Sequence, residues 1–359
     1  MELITMADIP DTRRAVQIHG DGSITVEDIE MPELGPKEVV VETAVSLISA
    51  GTETNGIKGR RKNPAPDAPA RGTGYSTAGT IIALGDEVEE FEVGQRVIGM
   101  AGECYNHCSY NVGHPMVTVP IPDGVSFDDA VMVCLAATSM QATRRLDPDF
   151  GCFYAVVGQG LVGQFADQLI RLSGGRVAAV DLDEGRLQIA LDHGAEIAIN
   201  PTKDDLTEAL RDWAEGVGID GSLIAYGGPA TEVMRQLSNA ALKAPDGHQV
   251  GNMVIVGGIT AELTGVPVAF GNMDIKPSSR TGPGYHDPAY HQGTDYPRAY
   301  VRWTTRRNMA ELLRRVADGS FKVSELISHR FDFEDAADAY NMIIDATEPN
   351  LGVLLEYED

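Results

Sequence analysis

The sequence predicts an α/β protein: a doubly wound parallel sheet joined to a second, mainly β domain. Three observations carry this. From about Thr143 to Ser279, apolar strand-like runs alternate with helical stretches, as in a parallel sheet covered on both faces. From about Ala15 to Pro120, short runs of period two are punctuated by Gly and Pro, the texture of a small β domain. At 359 residues the chain exceeds one ordinary core, on a prior of roughly 100–200 residues per domain.

The elements follow in order. "EVVVETAVSLISAG", "STAGTIIALGDEV", "GQRVIGM" and "MVTVPIP" read as strands with turns between them. A helix is expected from Ser126 to about Arg145, with Ser126 as N-cap and acids in the first turn. The block "CFYAVVGQGLVGQFADQLIRLSGGRVAAVDLDEGRLQIALDHGAEIAIN" reads strand, glycine turn, helix, strand, helix, strand. It continues through "IDGSLIAYGG", a helix at about Thr231–Lys243 and "NMVIVGGIT". The segment "RTGPGYHDPAYHQGTDYPRAYVRW" is too irregular for a core element, and its aromatic content favours an ordered, functional loop. A helix at about Arg307–Asp318 and a final strand "LGVLLEYE" close the chain. The expected division is 1–142 for the first part of the β domain, 143–279 for the α/β domain and 280–359 for a return to the β domain.

Composition narrows the partners. The net charge is −25, with 53 acidic against 28 basic residues. A phosphate backbone needs a basic surface to displace counterions, so nucleic acid and acidic membranes are excluded as partners. An acidic, lysine-poor chain without an acidic tail suits a surface solvated at high salt, as in halophiles. The N-terminal "MELITMADIPDTRR" carries acids where a signal peptide would carry positive charge, and no apolar run approaches ~20 residues. A soluble, cytoplasmic protein is expected. Cys104, Cys108, Cys134 and Cys152 form no disulfide framework and are read as thiols or metal ligands.

The strongest motif is Gly158-Gln159-Gly160-Leu161-Val162-Gly163, directly after the strand "YAVV" and opening a helix. Glycines there let the backbone approach a pyrophosphate, which rests at the helix N-terminus. Asp181 ends the next strand, where a carboxylate bonds the adenosine ribose hydroxyls and repels a 2′-phosphate. NAD is therefore the expected cofactor. Arg186 is placed to stack on adenine, or else is a solvated helix arginine. Gly227 and Gly228, and Val256, Gly257 and Gly258, end later strands where the cofactor would cross the sheet edge.

With that block set inside a β domain, the chain resembles the medium-chain dehydrogenase/reductase superfamily. "LISAGTET", "GTGYSTAGTIIALGDEVEEFEVGQRV", "CLAATSMQA" and "LISHRFDFEDAADAY" match its segments in order. The resemblance covers nearly the whole chain and implies a GroES-like catalytic domain, a Rossmann domain and a homodimer or homotetramer. Alcohol dehydrogenases of the superfamily hold a catalytic zinc through a Cys, the His of a Gly-His-Glu and a later Cys or acid. Those positions fall on Ala50, Tyr75, Ser76 and Cys134. One thiolate cannot hold a zinc that needs three protein ligands, so no metal is expected. The alternative is a site rebuilt from Cys104, His107, Cys108 and Cys134. The resemblance also places His107 in a turn common to zinc-free members. "SLISAGTE" and "GPGYHDPAYHQGTDYPRAYVRWTTRRNM" are similar to a zinc-free group found in bidomain oxidoreductases, which hints at carbohydrate or polyol substrates.

The residue roles implied are these. Thr52 matches the proton-relay Ser/Thr, Asn55 falls where some members carry a relay His, and Thr138 matches a nicotinamide contact. Tyr75 is a candidate to polarise the substrate oxygen, with Arg71 as the cation that would lower its pKa from near 10. Glu53, Arg71, Tyr285, His286, Asp287, His291 and Trp303 are the candidate substrate contacts, joined by the stacking faces of Tyr290 and Tyr296. His329 is expected to pack structurally. The expected activity is NAD-dependent, zinc-independent oxidation of a secondary hydroxyl of a sugar, cyclitol or related polyol. The competing readings are a zinc-free quinone or enoyl reductase using NAD(P)H, and a non-catalytic NAD(H)-binding protein.

Overall fold

The computed structural model describes residues 9–358. It contains two compact units: one runs up to Leu135 and resumes at Gly282, the other is Ala136–Thr281.

The second unit is a six-stranded sheet in which every neighbouring pair is parallel. Across the sheet the strands run Ile197–Ile199, Arg176–Val180, Phe153–Val157, Gly221–Ile224, Asn252–Ile255 and Asp274–Pro277. In chain order this is 3-2-1-4-5-6, the doubly wound arrangement. Helices Leu161–Leu172, Glu184–Asp192, Leu206–Trp213 and Thr231–Ala240 make the crossovers. Side chains alternate between two cores. Ala155, Val157, Ala178 and Val180 pack with Leu206, Leu210 and Leu237, while Tyr154, Val156, Val177 and Ala179 pack with Ala166 and Ile170. Burial on both faces explains why these strands read as unbroken apolar runs.

The first unit holds a seven-stranded sheet built around the long strand Val39–Leu47. That strand pairs antiparallel with Thr77–Leu84, Tyr110–Gly113 and the chain's last strand, Gly352–Glu356. A three-stranded sheet joins Thr12–Ile18 to Ile24–Glu30 and to the two residues Arg71–Gly72. Helix Ala336–Asp345 packs its Ala339, Tyr340 and Ile343 with Ile18, Ile48 and Ile57. Ser126 caps the helix Phe127–Leu146, its hydroxyl accepting from the Asp129 amide at 3.0 Å.

The sequence reading missed several elements here. Helix Ala50–Lys62 contains Gly51, Gly56 and Gly59, each a poor helix former. It persists because Glu53, Thr54 and Ile57 form a buried stripe and Arg60, Arg61 and Lys62 complement the helix dipole at its C-terminus. Helix Ala336–Asp345 and strand Ile327–Asp332 were likewise absorbed into the closing segment. No helix among the described residues is long and apolar enough to cross a membrane.

Candidate functional site

Parallel register aligns Val157 with Val180 and Ile224, and Ile224 with Ile255. The residues that follow, Gly158, Asp181, Ala225 and Val256, therefore leave the sheet side by side at its carboxyl edge. Strands one and four in chain order are adjacent there, which makes this edge a topological switch point.

Each glycine of the turn has its own reason. Gly158 takes φ +94°, and its amide donates to Val180 O at 2.8 Å. Gly160 is the N-cap of helix Leu161–Leu172, has no side chain to cover the first-turn amides, and opens onto empty space where a Cβ would stand. A Cβ on Gly163 would lie 1.9 Å from Gly158 O, so the helix packs against its own turn only with glycine there. This is a cradle for an anionic group approached by backbone N–H. The Gln159 amide donates to Asp181 Oδ2 at 2.5 Å, and the Asp183 amide to Oδ1 at 2.9 Å.

Two motif side chains depart from the expectation of direct cofactor contact. Gln159 is fully buried, with Nε2 donating to Val156 O at 3.1 Å, and Leu161 is buried. Both face the interior because the turn's exposed surface is backbone, so only their backbone is offered to a ligand. Val162 is half-buried, its carbonyl accepting from the Ser139 hydroxyl at 2.8 Å. Thr138, beside Ser139 on the helix, is half-buried. Arg186 lies in helix Glu184–Asp192, capped by Asp183, and its carbonyl accepts from Gln164. The later strand ends meet one another: Gly228–Pro229 pairs with Ile259–Thr260, and Gly257 lies so close to Tyr226 O that a Cβ would sit at 1.7 Å.

In the first unit, Thr52 and Asn55 lie three residues apart on the exposed side of helix Ala50–Lys62. Tyr75 is half-buried in the turn before strand Thr77–Leu84, and Arg71 is exposed in the short strand paired with Ile18. Glu53 corrects the sequence reading. It is 8% exposed, and both carboxylate oxygens are taken by the protein. Oε1 accepts from the Ser49 amide at 2.8 Å. Oε2 accepts from the Thr73 hydroxyl at 3.1 Å, from the Tyr340 hydroxyl, and lies 3.0 Å from His107 Nε2. His107 Nδ1 in turn meets Ser46 Oγ at 2.7 Å, and Ser46 meets the Tyr357 hydroxyl at 3.0 Å. Burial alone would raise the Glu53 pKa, but the His107 charge and these donors hold it below the ordinary carboxylate range. Glu53 is therefore ionised inside the unit and does not face a substrate. The signal in the sequence was its place beside Thr54 and Ile57 on the buried helical stripe.

Loop residues 282–303 also correct the expectation in part. Asp287 caps the short helix Pro288–His291 by accepting from the Ala289 and Tyr290 amides, and its other oxygen takes the Tyr296 hydroxyl. His291 is buried, with Nε2 at 3.1 Å from Tyr285 O and its ring stacked on His114 at 5.1 Å. Tyr290 is buried and donates to Thr304 Oγ1 at 2.9 Å. Asp287, His291 and Tyr290 thus hold the loop in shape instead of presenting polar groups. Tyr285 is buried as well, edge-on to His286 at 4.5 Å. His286 is exposed and bonded to the Glu103 carboxylate, and Trp303 is half-buried. His329 is half-buried between Ser328 Oγ and Glu348.

The donors present do not fit a catalytic zinc. Ala50 and Tyr75 offer no ligand of the required kind, and the buried Ser76 hydroxyl has no hydrogen-bond partner. Cys134 is fully buried, its thiol pushed up by burial and directed to Gly99 O at 3.5 Å. Cys104 and Cys108 are buried as well. The rebuilt set is not assembled, because both ring nitrogens of His107 are engaged by Ser46 and Glu53. Among the described residues no group of three or more His, Cys, Asp or Glu is placed to hold a metal ion.

A switch-point glycine turn followed by an acid-ended second strand defines a dinucleotide-binding unit. Comparison with known proteins carries this further. Residues 35–143 match the alcohol dehydrogenase GroES-like domain, and residues 162–286 match the zinc-binding dehydrogenase domain. An alcohol dehydrogenase of Cupriavidus necator is 24% identical over 93% of this chain and 96% of its own length. Sorbitol dehydrogenase of Mus musculus is 24% identical over 90% of each chain. The crystal structure of an Escherichia coli oxidoreductase/dehydrogenase of unknown specificity superposes with a TM-score of 0.80 at 19% identity, covering 97% of this chain and 100% of that one. The chain belongs to the medium-chain dehydrogenase/reductase superfamily. It is an oxidoreductase acting on CH–OH groups of a small molecule with a nicotinamide cofactor.

Proposed function

We propose that this protein is an NAD-dependent, zinc-independent dehydrogenase that oxidises a secondary hydroxyl of a sugar, cyclitol or related polyol to the ketone, or catalyses the reverse. One observation carries the reading. The cofactor turn is complete from Gly158 to Asp181, while Ala50, Tyr75 and Ser76 stand where the resemblance to alcohol dehydrogenases would place zinc ligands.

Backbone amides at Gly160 and beyond would hold the pyrophosphate of the cofactor, and Asp181 its adenosine ribose. When bound, the nicotinamide supplies the hydride acceptor or donor. A carboxylate at position 181 repels a 2′-phosphate, which supports NAD over NADP. The chain's own residues must then move the hydroxyl proton and polarise the oxygen. Thr52 and Asn55 are one helical turn apart on an exposed face, the spacing of a short relay. Tyr75 offers a phenol beside them in role, donating to the substrate oxygen. The sorbitol dehydrogenase relative supports a polyol as the substrate class.

The test is an NAD-reduction screen across sugars, sugar acids, cyclitols and simple alcohols at high salt, with metal analysis of the same preparation. Turnover of a polyol with no stoichiometric zinc, unchanged by a chelator, is the expected result. One zinc per chain would sink the zinc-independent mechanism. Oxidation of NADPH by a quinone or enone, without polyol turnover, would make the protein a reductase of conjugated substrates. Tight NADH binding with no turnover of any of these would make it a non-catalytic NAD(H)-binding protein.

A further inference from the structure

The Glu53 carboxylate ties together two pieces of chain that both carry candidate proton-handling residues. Its Oε1 folds back over the start of helix Ala50–Lys62 to take the Ser49 amide at 2.8 Å, which fixes the turn bearing Thr52. Its Oε2 takes the Thr73 hydroxyl at 3.1 Å, two residues before Tyr75.

The His107 imidazole, 3.0 Å from the same oxygen, braces that second segment from below. The His107 amide donates to Thr73 O at 2.9 Å. Gly74, at φ +93°, lets the imidazole pack against the turn, since a Cβ there would lie 2.6 Å from the ring. Asn106 Nδ2 donates to Gly74 O at 2.9 Å, and the Leu47 amide to Ser76 O at 3.1 Å. Tyr75 is thus flanked on both sides by residues held in place, and the line of bonds runs back to Glu53. A buried, ionised carboxylate with several donors is a rigid anchor, because moving any donor away leaves a charge unsatisfied in low dielectric.

We propose that Glu53, with His107 as its brace, is a positioning residue that sets the Thr52 turn and the Tyr75 turn in fixed relation. It acts through Ser49 and Thr73 and touches no substrate. This rests on the reading above that Thr52 and Tyr75 handle the hydroxyl proton, and the experiment separates the two.

Glu53→Gln keeps the shape and removes the charge. Thr73→Val is nearly isosteric and cuts the tie to the Tyr75 turn while leaving the Glu53 charge in place. It serves if Glu53→Gln fails to fold. Amide hydrogen exchange is measured on both variants in the intact chain, with kcat and KM on the best polyol from the screen. Faster exchange is expected in residues 50–54 and 73–77 of Glu53→Gln, and in 73–77 alone of Thr73→Val, with 153–180 unchanged. In Glu53→Gln, kcat should fall by up to about 100-fold, the scale of a misplacement near 1 Å, while KM for NAD stays within about twofold. Exchange in both segments equal to wild type in a folded variant overturns the positioning role, as does an unchanged kcat. If the wild-type enzyme oxidises no polyol, the functional reading fails, and the exchange result alone decides the positioning role.

Discussion

The Gln159 amide donates to the Asp181 carboxylate at 2.5 Å, which makes Asp181 a structural clasp on the glycine turn as well as a candidate ribose ligand. The two roles separate by substitution. Asp181→Asn keeps an oxygen to accept the amide but loses the charge, so it should retain most NAD affinity and gain NADP binding. Asp181→Ala loses both, and NAD affinity should fall by roughly tenfold, the loss of about one charge-assisted hydrogen bond. Titration of each variant with NAD and NADP, followed by protein fluorescence, checks this. Unchanged cofactor preference in both variants would remove Asp181 from the site.

Two glycines of the turn, Gly160 and Gly163, should respond differently to the same methyl group. At Gly160 a Cβ meets no atom of the protein, so Gly160→Ala should melt within about 2 °C of wild type yet bind NAD at least about tenfold more weakly, because the methyl occupies ligand space. At Gly163 the methyl would sit 1.9 Å from the Gly158 carbonyl oxygen, a clash with backbone that cannot rotate away. Gly163→Ala should lose about 1–3 kcal/mol of stability, as overpacked sites do. Thermal melts without cofactor, beside NAD titrations, read the two effects separately.

That turn was legible in the sequence because its requirements are local: glycine where φ is positive or a Cβ has no room, and an acid at the end of the next strand. The alternation of strand and helix was legible for the same reason. The Glu53 to His107 pair was not, since 54 residues separate partners that only the folded sheet brings together. Helix Ala50–Lys62 was hidden by its glycines, although burial of Thr54 and Ile57 outweighs their low propensity. In the loop, Asp287 and His291 are residue types capable of acid–base chemistry. A cap and a ring stack consume that capability within the loop, and no residue spacing distinguishes a histidine stacked inward from one presented to solvent.

Acid should destabilise the first unit through Glu53. Its folded pKa lies below the ordinary value of about 4.3, held down by His107, Tyr340 and the Ser49 amide against the opposing effect of burial. A depressed acid contributes stability that is present above its unfolded pKa and is lost as pH falls through the folded one. Denaturant melts from pH 7 down to pH 3 should therefore steepen below about pH 4.3 in wild type, and Glu53→Gln should show a flatter profile there. Parallel profiles for the two proteins would show that Glu53 carries no linked proton.

Asp167 presents the opposite case and the opposite sign. It lies fully buried in helix Leu161–Leu172, and neither carboxylate oxygen has a hydrogen bond of normal geometry. Burial pushes its pKa well above the ordinary value, outweighing the Gln159 amide and the Arg171 charge. A raised acid favours the folded state fully only below its unfolded pKa, near 3.9, and the advantage drains away as pH rises toward the folded one. As pH rises above the unfolded pKa, the unfolded chain gains by ionising before Asp167 in the native helix does. Asp167→Asn removes that penalty at constant size. It should raise the melting temperature at pH 7–8 by a few degrees, on the order of 1 kcal/mol for a unit of this size, and by less at pH 5. Calorimetric melts of both proteins at the two pH values check the difference, and a lower melting temperature for the variant at pH 8 would mean that the ionised carboxylate has a stabilising partner.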